Sequence, residues 1–125
     1  MPDITLRPAH PADWPAVETL LTAHNLPLAG AREHLSTFLV AESGGEVVGC
    51  AGVEPHGELA LLRSVAVTPG RAGQGIGQAM VARLLQEAQR RPFRAVYLLT
   101  TTARDWFQRL GFQSADRASV PPALQ

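Results

Sequence analysis

The sequence predicts an α/β layered fold with an antiparallel meander at its centre. Three observations lead there. Strand-length apolar runs alternate with helix-period runs in the order strand, helices, three strands, helix, strand, helix, strand. The three central strands are separated only by short turns, Ser43-Gly44-Gly45 and Glu54-Pro55-His56-Gly57. A length of 125 residues at 46% hydrophobic content fits one core and leaves little room for a second, so residues 1–125 are expected to form one domain.

Each element has its own signal. Ile4 and Leu6 alternate with Thr5 and Arg7, as in a short first strand. Asp13 has N-cap chemistry and Pro15 suits a first helical turn. Trp14, Val17, Leu20 and Leu21 then mark one face of a helix ending near His24 and Asn25. Residues 27–35 are read as one further short helix. Residues 38–41 and 46–53 form a hairpin, and Gly49 and Gly52 in its second strand point to close packing or a bulge. Residues 59–67 make a long apolar strand interrupted by Arg63 and Ser64.

A loop over 69–77 feeds a helix to about Arg90, whose buried face is Ile76, Ala79, Met80, Leu84, Leu85 and Ala88, and Pro92 stops it. Residues 95–100 read as a largely buried strand. Thr102 and Asp105 have the spacing of a capping box for a helix through Trp106, Phe107 and Leu110, which Gly111 ends. Phe112 opens a last short strand, and the tail 118–125 holds no closing element.

Composition excludes several classes. Eleven basic and eleven acidic residues cancel, which argues against nucleic-acid and membrane-surface partners. Cys50 is the only cysteine, and the four histidines lack the paired spacing of a zinc helix, so no metal is expected. The N-terminus MPDITLRPAH has no apolar run or cleavage pattern, and no stretch reaches the length of a membrane span. A reducing, cytoplasmic location is the expectation.

Chemistry is concentrated between Val65 and Gly77, in Val-Ala-Val-Thr-Pro-Gly-Arg-Ala-Gly-Gln-Gly-Ile-Gly. A buried strand ends, a glycine-rich turn follows, and a helix opens at once. Helix N-termini carry unpaired N–H groups and a dipole that favours an anion, and glycines let a phosphate approach the backbone. A pyrophosphate is the natural occupant. The alternative is a tight turn that binds nothing. No Gly-Lys-Ser/Thr follows, so this is not a P-loop, and the turn does not follow a first parallel strand as a Rossmann fingerprint does.

Taken with its neighbours, this segment resembles the GNAT superfamily of acetyl-CoA-dependent N-acetyltransferases. Four stretches carry the likeness: Ile4 to Ala9 with Asp13, Phe38 to Glu42 with Val47-Val48-Gly49, Val65 to Gly77, and Tyr97 to Thr100 with Trp106 to Phe112. The resemblance implies a mixed central sheet flanked by helices. It also implies an acetyl-CoA arm lying in a V-shaped opening between the strand ending at Val67 and the strand over 95–100. Main-chain groups of Val65 and Val67 would hold the arm. Backbone amides of Ala72, Gly73, Gln74, Gly75, Ile76 and Gly77, with Gln78 nearby, would hold the pyrophosphate. A primary amine would then attack the thioester.

Three positions depart from the family pattern. Ala72 stands where Arg or Gln usually precedes the first loop glycine, with Arg71 one place earlier. Arg63 stands where many members carry a glutamate base; a guanidinium there suits a substrate carboxylate or a solvent-facing strand edge, and Glu54 and Glu58 are the remaining candidate bases. Phe107 replaces a tyrosine that protonates the departing thiolate.

Leu-Leu-Arg-Ser-Val-Ala-Val (61–67) and Leu-Leu-Thr-Thr-Thr-Ala (98–103) narrow the likeness to the branch associated with arsenic resistance and, more distantly, to N-acetylglutamate synthases. Both imply the α-amino group of a glutamate-like amino acid, or an arsenic-bearing analogue, as acceptor. Arg63, Ser64, Thr100 and Thr101 would contact it. The family's last strand is missing from the sequence, which implies a truncated C-terminus or an edge covered by a partner, a homodimer being the simplest case. The competing readings are an acyl-CoA-binding module with little turnover and a phosphate-binding regulatory domain without CoA.

Overall fold

The computed structural model describes residues 4–90, 93–100 and 103–115. Five strands lie in one sheet in sequence order: β1 (Ile4–Pro8), β2 (Phe38–Ser43), β3 (Glu46–His56), β4 (Leu59–Val67) and β5 (Ala95–Leu98). The first four are antiparallel, because turns or a returning loop connect them, whereas β5 joins β4 in parallel after a helical crossover. That crossover is α2 (Ile76–Gln89); α1 (Trp14–Ala23) and α3 (Arg104–Arg109) complete the helices described.

The sheet separates two apolar layers. Val53, Ala60 and Leu62 pack with Met80, Val81 and Leu84 of α2 on one face. Phe38, Val40, Cys50 and Ala66 pack with Val17, Leu20 and Leu21 of α1 on the other. Alternation along the strands assigns neighbours to opposite faces, so both helices find apolar ground.

The two glycines of β3 do what the sequence predicts. A Cβ on Gly52 would lie 2.1 Å from the Phe38 ring, and one on Gly49 would lie 3.0 Å from Met80. A bulge is also present: pairing shifts from Cys50↔Ala66 to Gly52↔Arg63, and Ser64 absorbs the extra residue at φ +61°.

Several expectations need correction. No helix covers residues 27–35; turns occupy 29–34 and a 3₁₀ turn spans Leu35–Thr37. Asn25 (φ +56°) ends α1 in a left-handed stop, and Pro27 and Gly30 (φ +80°) suit a turn better than a helix. Asp13 stands at the N-cap of α1 without capping it. Its carboxylate instead accepts bonds from Arg7 Nη1 (2.8 Å), Arg7 Nη2 (3.0 Å) and the His10 amide (2.7 Å).

Glu54, Pro55 and His56 belong to β3, not to a turn, and pair with Leu61, Ala60 and Leu59. The turn shrinks to Gly57 and Glu58. Pro55 is tolerated because β2 pairs no further along β3 than Gly52, leaving a neighbour on one side only. β5 is half-buried instead of largely buried, since β4 is its only neighbour among the described residues. Residues 112–115 form no strand. The signals at Pro92 and Thr102 and the tail from 116 lie outside the described residues.

Candidate functional site

β4 is longer than the strand beside it, and this difference makes an opening. Its first half pairs with β5 from Leu59↔Ala95 to Leu62↔Leu98, and the described part of β5 stops there. From Arg63 to Val67, past the Ser64 bulge, β4 has no described partner on that side.

The direction of the backbone here is set by the trans peptide, in which C=O and the following N–H point opposite ways. Thr68 donates its amide to Val48 on β3 at 2.8 Å, so the Val67 carbonyl faces away from β3 into the opening. That carbonyl accepts a bond from His24 Nε2 at 2.8 Å. A carbonyl can only accept, so Nε2 carries the proton.

Beyond Val67 the chain makes a 3₁₀ turn, Pro69–Arg71, and reaches Gly73 and Gly75, both at φ +81°. Only glycine adopts this region freely, and a Cβ at either position would meet no described atom within 4 Å. Gly75 is the N-cap of α2. The first helical bond runs from the Ala79 amide to the Gly75 carbonyl (3.0 Å), so the amides of Ile76, Gly77 and Gln78 precede it. Arg71 anchors the turn, donating to Ser43 Oγ at 2.7 Å and to Gln74 Oε1 at 3.5 Å.

Val65, Val67, Gly73, Gly75 and Gly77 line one cleft of about 340 Å³, with His24 and Trp106 among its other walls. Gly77 is buried because Trp106 lies over it; a Cβ would come within 3.2 Å of the indole. These features fit an elongated ligand with an anionic group: exposed main chain along β4, then free amides under a positive helix end.

A charged cluster occupies the face of the sheet opposite α2. Arg63 Nη1 donates to Glu54 Oε2 at 2.9 Å, Nη2 to the Pro27 carbonyl at 3.2 Å, and Nε to Ser64 Oγ at 3.1 Å. His56 Nε2 lies 2.7 Å from Glu54 Oε1, and His34 Nε2 lies 4.0 Å from the same oxygen. Burial raises the Glu54 carboxyl, but hydrogen bonds from Arg63 and His56, with the charges of His34 and Arg63, more than offset it and hold it below the usual carboxylate range.

The predicted site residues thus divide. Glu54, Arg63 and Ser64 meet in one cluster. Glu58 stands apart at the hairpin tip, highly exposed and 3.7 Å from Arg94. Thr100 Oγ1 accepts the Ala103 amide at 3.0 Å, just ahead of α3, and Thr101 lies outside the described residues. Phe107 is packed edge-on against Trp106 (4.8 Å) and Phe112 (5.7 Å). Sequence reasoning missed His24, His34 and His56. His24 and His34 have no local mark, because each meets a residue distant in sequence; His56 lies two residues from Glu54 on one strand, a spacing hidden when residues 54–57 are read as a turn.

Comparison with known proteins bears on this geometry. Residues 34–114 match the acetyltransferase (GNAT) domain family. The chain is 34% identical over 125 residues to an amino-acid acetyltransferase of Mycobacterium tuberculosis, covering 92% of this chain and 71% of that one. It is 29% identical over 130 residues to an amino-acid acetyltransferase of Neisseria meningitidis, covering 94% of this chain but 29% of that protein's length. The fold of Rv2747 from Mycobacterium tuberculosis, solved in complex with CoA, superposes with a TM-score of 0.83 at 33% identity over 94% of this chain and 76% of that one. An N-acetylglutamate synthase from Neisseria gonorrhoeae, complexed with coenzyme A and L-arginine, gives 0.88 at 25% identity over 97% of this chain and 30% of that one. No helix among the described residues is long and apolar enough to cross a membrane.

Proposed function

The chain belongs to the acetyltransferase (GNAT) family, and from that premise we propose that it transfers an acetyl group from acetyl-CoA to the α-amino group of a glutamate-like amino acid. One observation carries the reading: the stretch of β4 that has no strand partner on this side among the described residues runs directly into a glycine turn and an open helix N-terminus, within a single cleft. The amides from Gly73 to Gly77, with Gln78, hold the pyrophosphate, the Ala72 amide being turned to the Pro69 carbonyl at 3.4 Å; the main chain of Val65 and Val67 holds the pantetheine arm, which displaces His24 if it uses the Val67 carbonyl. The chain supplies chiefly position and fixed dipoles, which serve acyl transfer well because reactants are held in line and no donor must reorient.

Arg63 suits the acceptor's carboxylate. Its guanidinium has five N–H donors, of which three are engaged in the described contacts, leaving one on each terminal nitrogen. Ser64 and Thr100 each accept a bond through the side-chain oxygen and keep a hydroxyl proton to donate. Thr101 is assigned to the same polar head from its place in the sequence. The likeness of residues 61–67 and 98–103 to the arsenic-resistance branch adds an arsenic-bearing glutamate analogue to the acceptors worth assaying.

The test is thiol release from acetyl-CoA across a panel of amino acids and amines. Release with glutamate or a close analogue, and little with unrelated amines, is the expected result. Acetyl-CoA binding with no release from any amine would favour a second reading, a CoA-binding module. Phe107 favours that reading, since its ring is locked between Trp106 and Phe112 where the family commonly has a tyrosine hydroxyl.

A further inference from the structure

We propose that His24 is a further residue of the acetyl-CoA site, competing with the pantetheine arm for the Val67 carbonyl. In this role it sets how well an arm-bearing carrier binds relative to the diphosphate end alone. The inference rests on the transferase reading above and deepens it.

The end of α1 holds His24 in place. His24 is the C-cap of that helix, and Asn25 follows it in the left-handed conformation at φ +56°. The Leu26 amide donates to the Leu21 carbonyl at 2.8 Å, and the Asn25 amide to the Thr22 carbonyl at 3.1 Å. These are the two bonds of a Schellman stop, and they fix the backbone on either side of His24. Leu20 and Leu21, both buried, anchor the last turns of the helix against the sheet. The exposed imidazole therefore hangs from a held cap, and its Nε2 comes within 2.8 Å of an oxygen 43 residues away.

The position of that oxygen gives the bond its consequence. Val67 is the last residue of β4, and its carbonyl faces the opening while the Thr68 amide is spent on β3. An arm running from the glycine turn toward the Ser64 bulge meets this carbonyl before it reaches Val65. A strand-like bond from an arm amide needs about 2.9 Å to the oxygen, the approach that His24 already makes. His24, Val65, Val67 and Gly73 line the same cleft of about 340 Å³, so ring and arm draw on one space. The diphosphate end meets no such conflict, because the amides assigned to it lie beyond the 3₁₀ turn.

The exchange is of hydrogen bonds alone. An arm N–H replaces the imidazole N–H on the Val67 oxygen, and the exposed ring turns its Nε2 to water. With the ring removed, the arm displaces only water from that carbonyl. The expected gain is the net worth of one hydrogen bond, about 2- to 12-fold in affinity.

The experiment is calorimetric titration of wild type and His24→Ala with acetyl-CoA and, separately, with 3′-phospho-ADP, the part of CoA that ends at the pyrophosphate. Circular dichroism and Tm establish that the variant is folded. His24→Ala is expected to bind acetyl-CoA about 2- to 12-fold tighter and 3′-phospho-ADP as wild type does. A second measurement uses wild type alone: the His24 Nε2 signal in a ring-nitrogen NMR spectrum should move on saturation with acetyl-CoA and stay with 3′-phospho-ADP. Equal or weaker acetyl-CoA binding by folded His24→Ala, or a His24 signal indifferent to acetyl-CoA, would overturn the inference and leave the transferase reading in place. So would an equal gain for both ligands, which would put the effect of His24 at the diphosphate end. Absence of acetyl-CoA binding to wild type would overturn the transferase reading and this inference together.

Discussion

Two glycine turns in this chain share a backbone conformation and differ in the element each one delivers. Gly44 and Gly45 take φ +58° and +85°, while Gly73 and Gly75 both take +81°. A Cβ at any of the four would meet no described atom within 4 Å. The first turn returns the chain into β3, which pairs with β2 at once. The second leads into α2, where three amides precede the first helical bond. Glycine and a positive φ therefore make a turn in both places, and only the second is followed at once by an open helix end, the feature that suits an anion. The first turn opens no helix and so carries no helix dipole.

The largest effect is expected where that difference is attacked directly. Gly75→Glu sets a carboxylate beside the helix end and forces a side chain into a left-handed backbone. Acetyl-CoA affinity should fall roughly 100-fold or more, equivalent to about 2.7 kcal/mol, by calorimetry on variant protein shown to be folded. Next comes Arg63→Ala, which should raise KM for the amino acid about 10- to 100-fold, the range for a charged hydrogen bond, and spare acetyl-CoA binding. The reverse pattern would remove Arg63 from the acceptor site.

A smaller effect is expected at the sheet edge far from the proposed site. Arg7 bridges Asp13 at 2.8 Å and Glu42 at 2.9 Å, at the far edge from β5. The bond from Arg7 holds the Asp13 carboxyl below its usual range, more than offsetting burial. A depressed carboxylate pKa stabilises the fold at pH above the unfolded value, about 3.9, and that contribution is lost as pH falls through the folded value. Asp13→Asn should therefore cost roughly 1–3 kcal/mol at neutral pH and flatten the acid limb of stability, measured by urea unfolding from pH 7 to 2. CoA affinity should not change. Smallest of all is Gly44→Asn, since asparagine tolerates positive φ; a Tm within a few degrees of wild type and unaltered CoA binding are expected.

How legible the site is in the sequence depends on what each part rests on. β4 and α2 are readable because their apolar periods are local, and Gly73 to Gly77 because strand, glycine turn and helix succeed one another in the chain. The Arg63–Glu54 pair is not, since it depends on the β3–β4 register, and the local pattern places Glu54 in a turn that β3 in fact extends through. The contact from His24 to Val67 spans 43 residues and has no local trace. The helix expected over 27–35 fails for a related reason: this segment takes its shape from docking on the sheet, where Arg63 reaches Pro27 and lies against Gly30.

The claim on which everything else depends is that the turn before α2 seats the pyrophosphate of acetyl-CoA. Calorimetric titration of acetyl-CoA into wild type and into Gly75→Glu tests it directly. Saturable one-to-one binding to wild type, lost in a folded Gly75→Glu protein, is the predicted result. Absence of binding to wild type, or equal affinity in the folded variant, would contradict it.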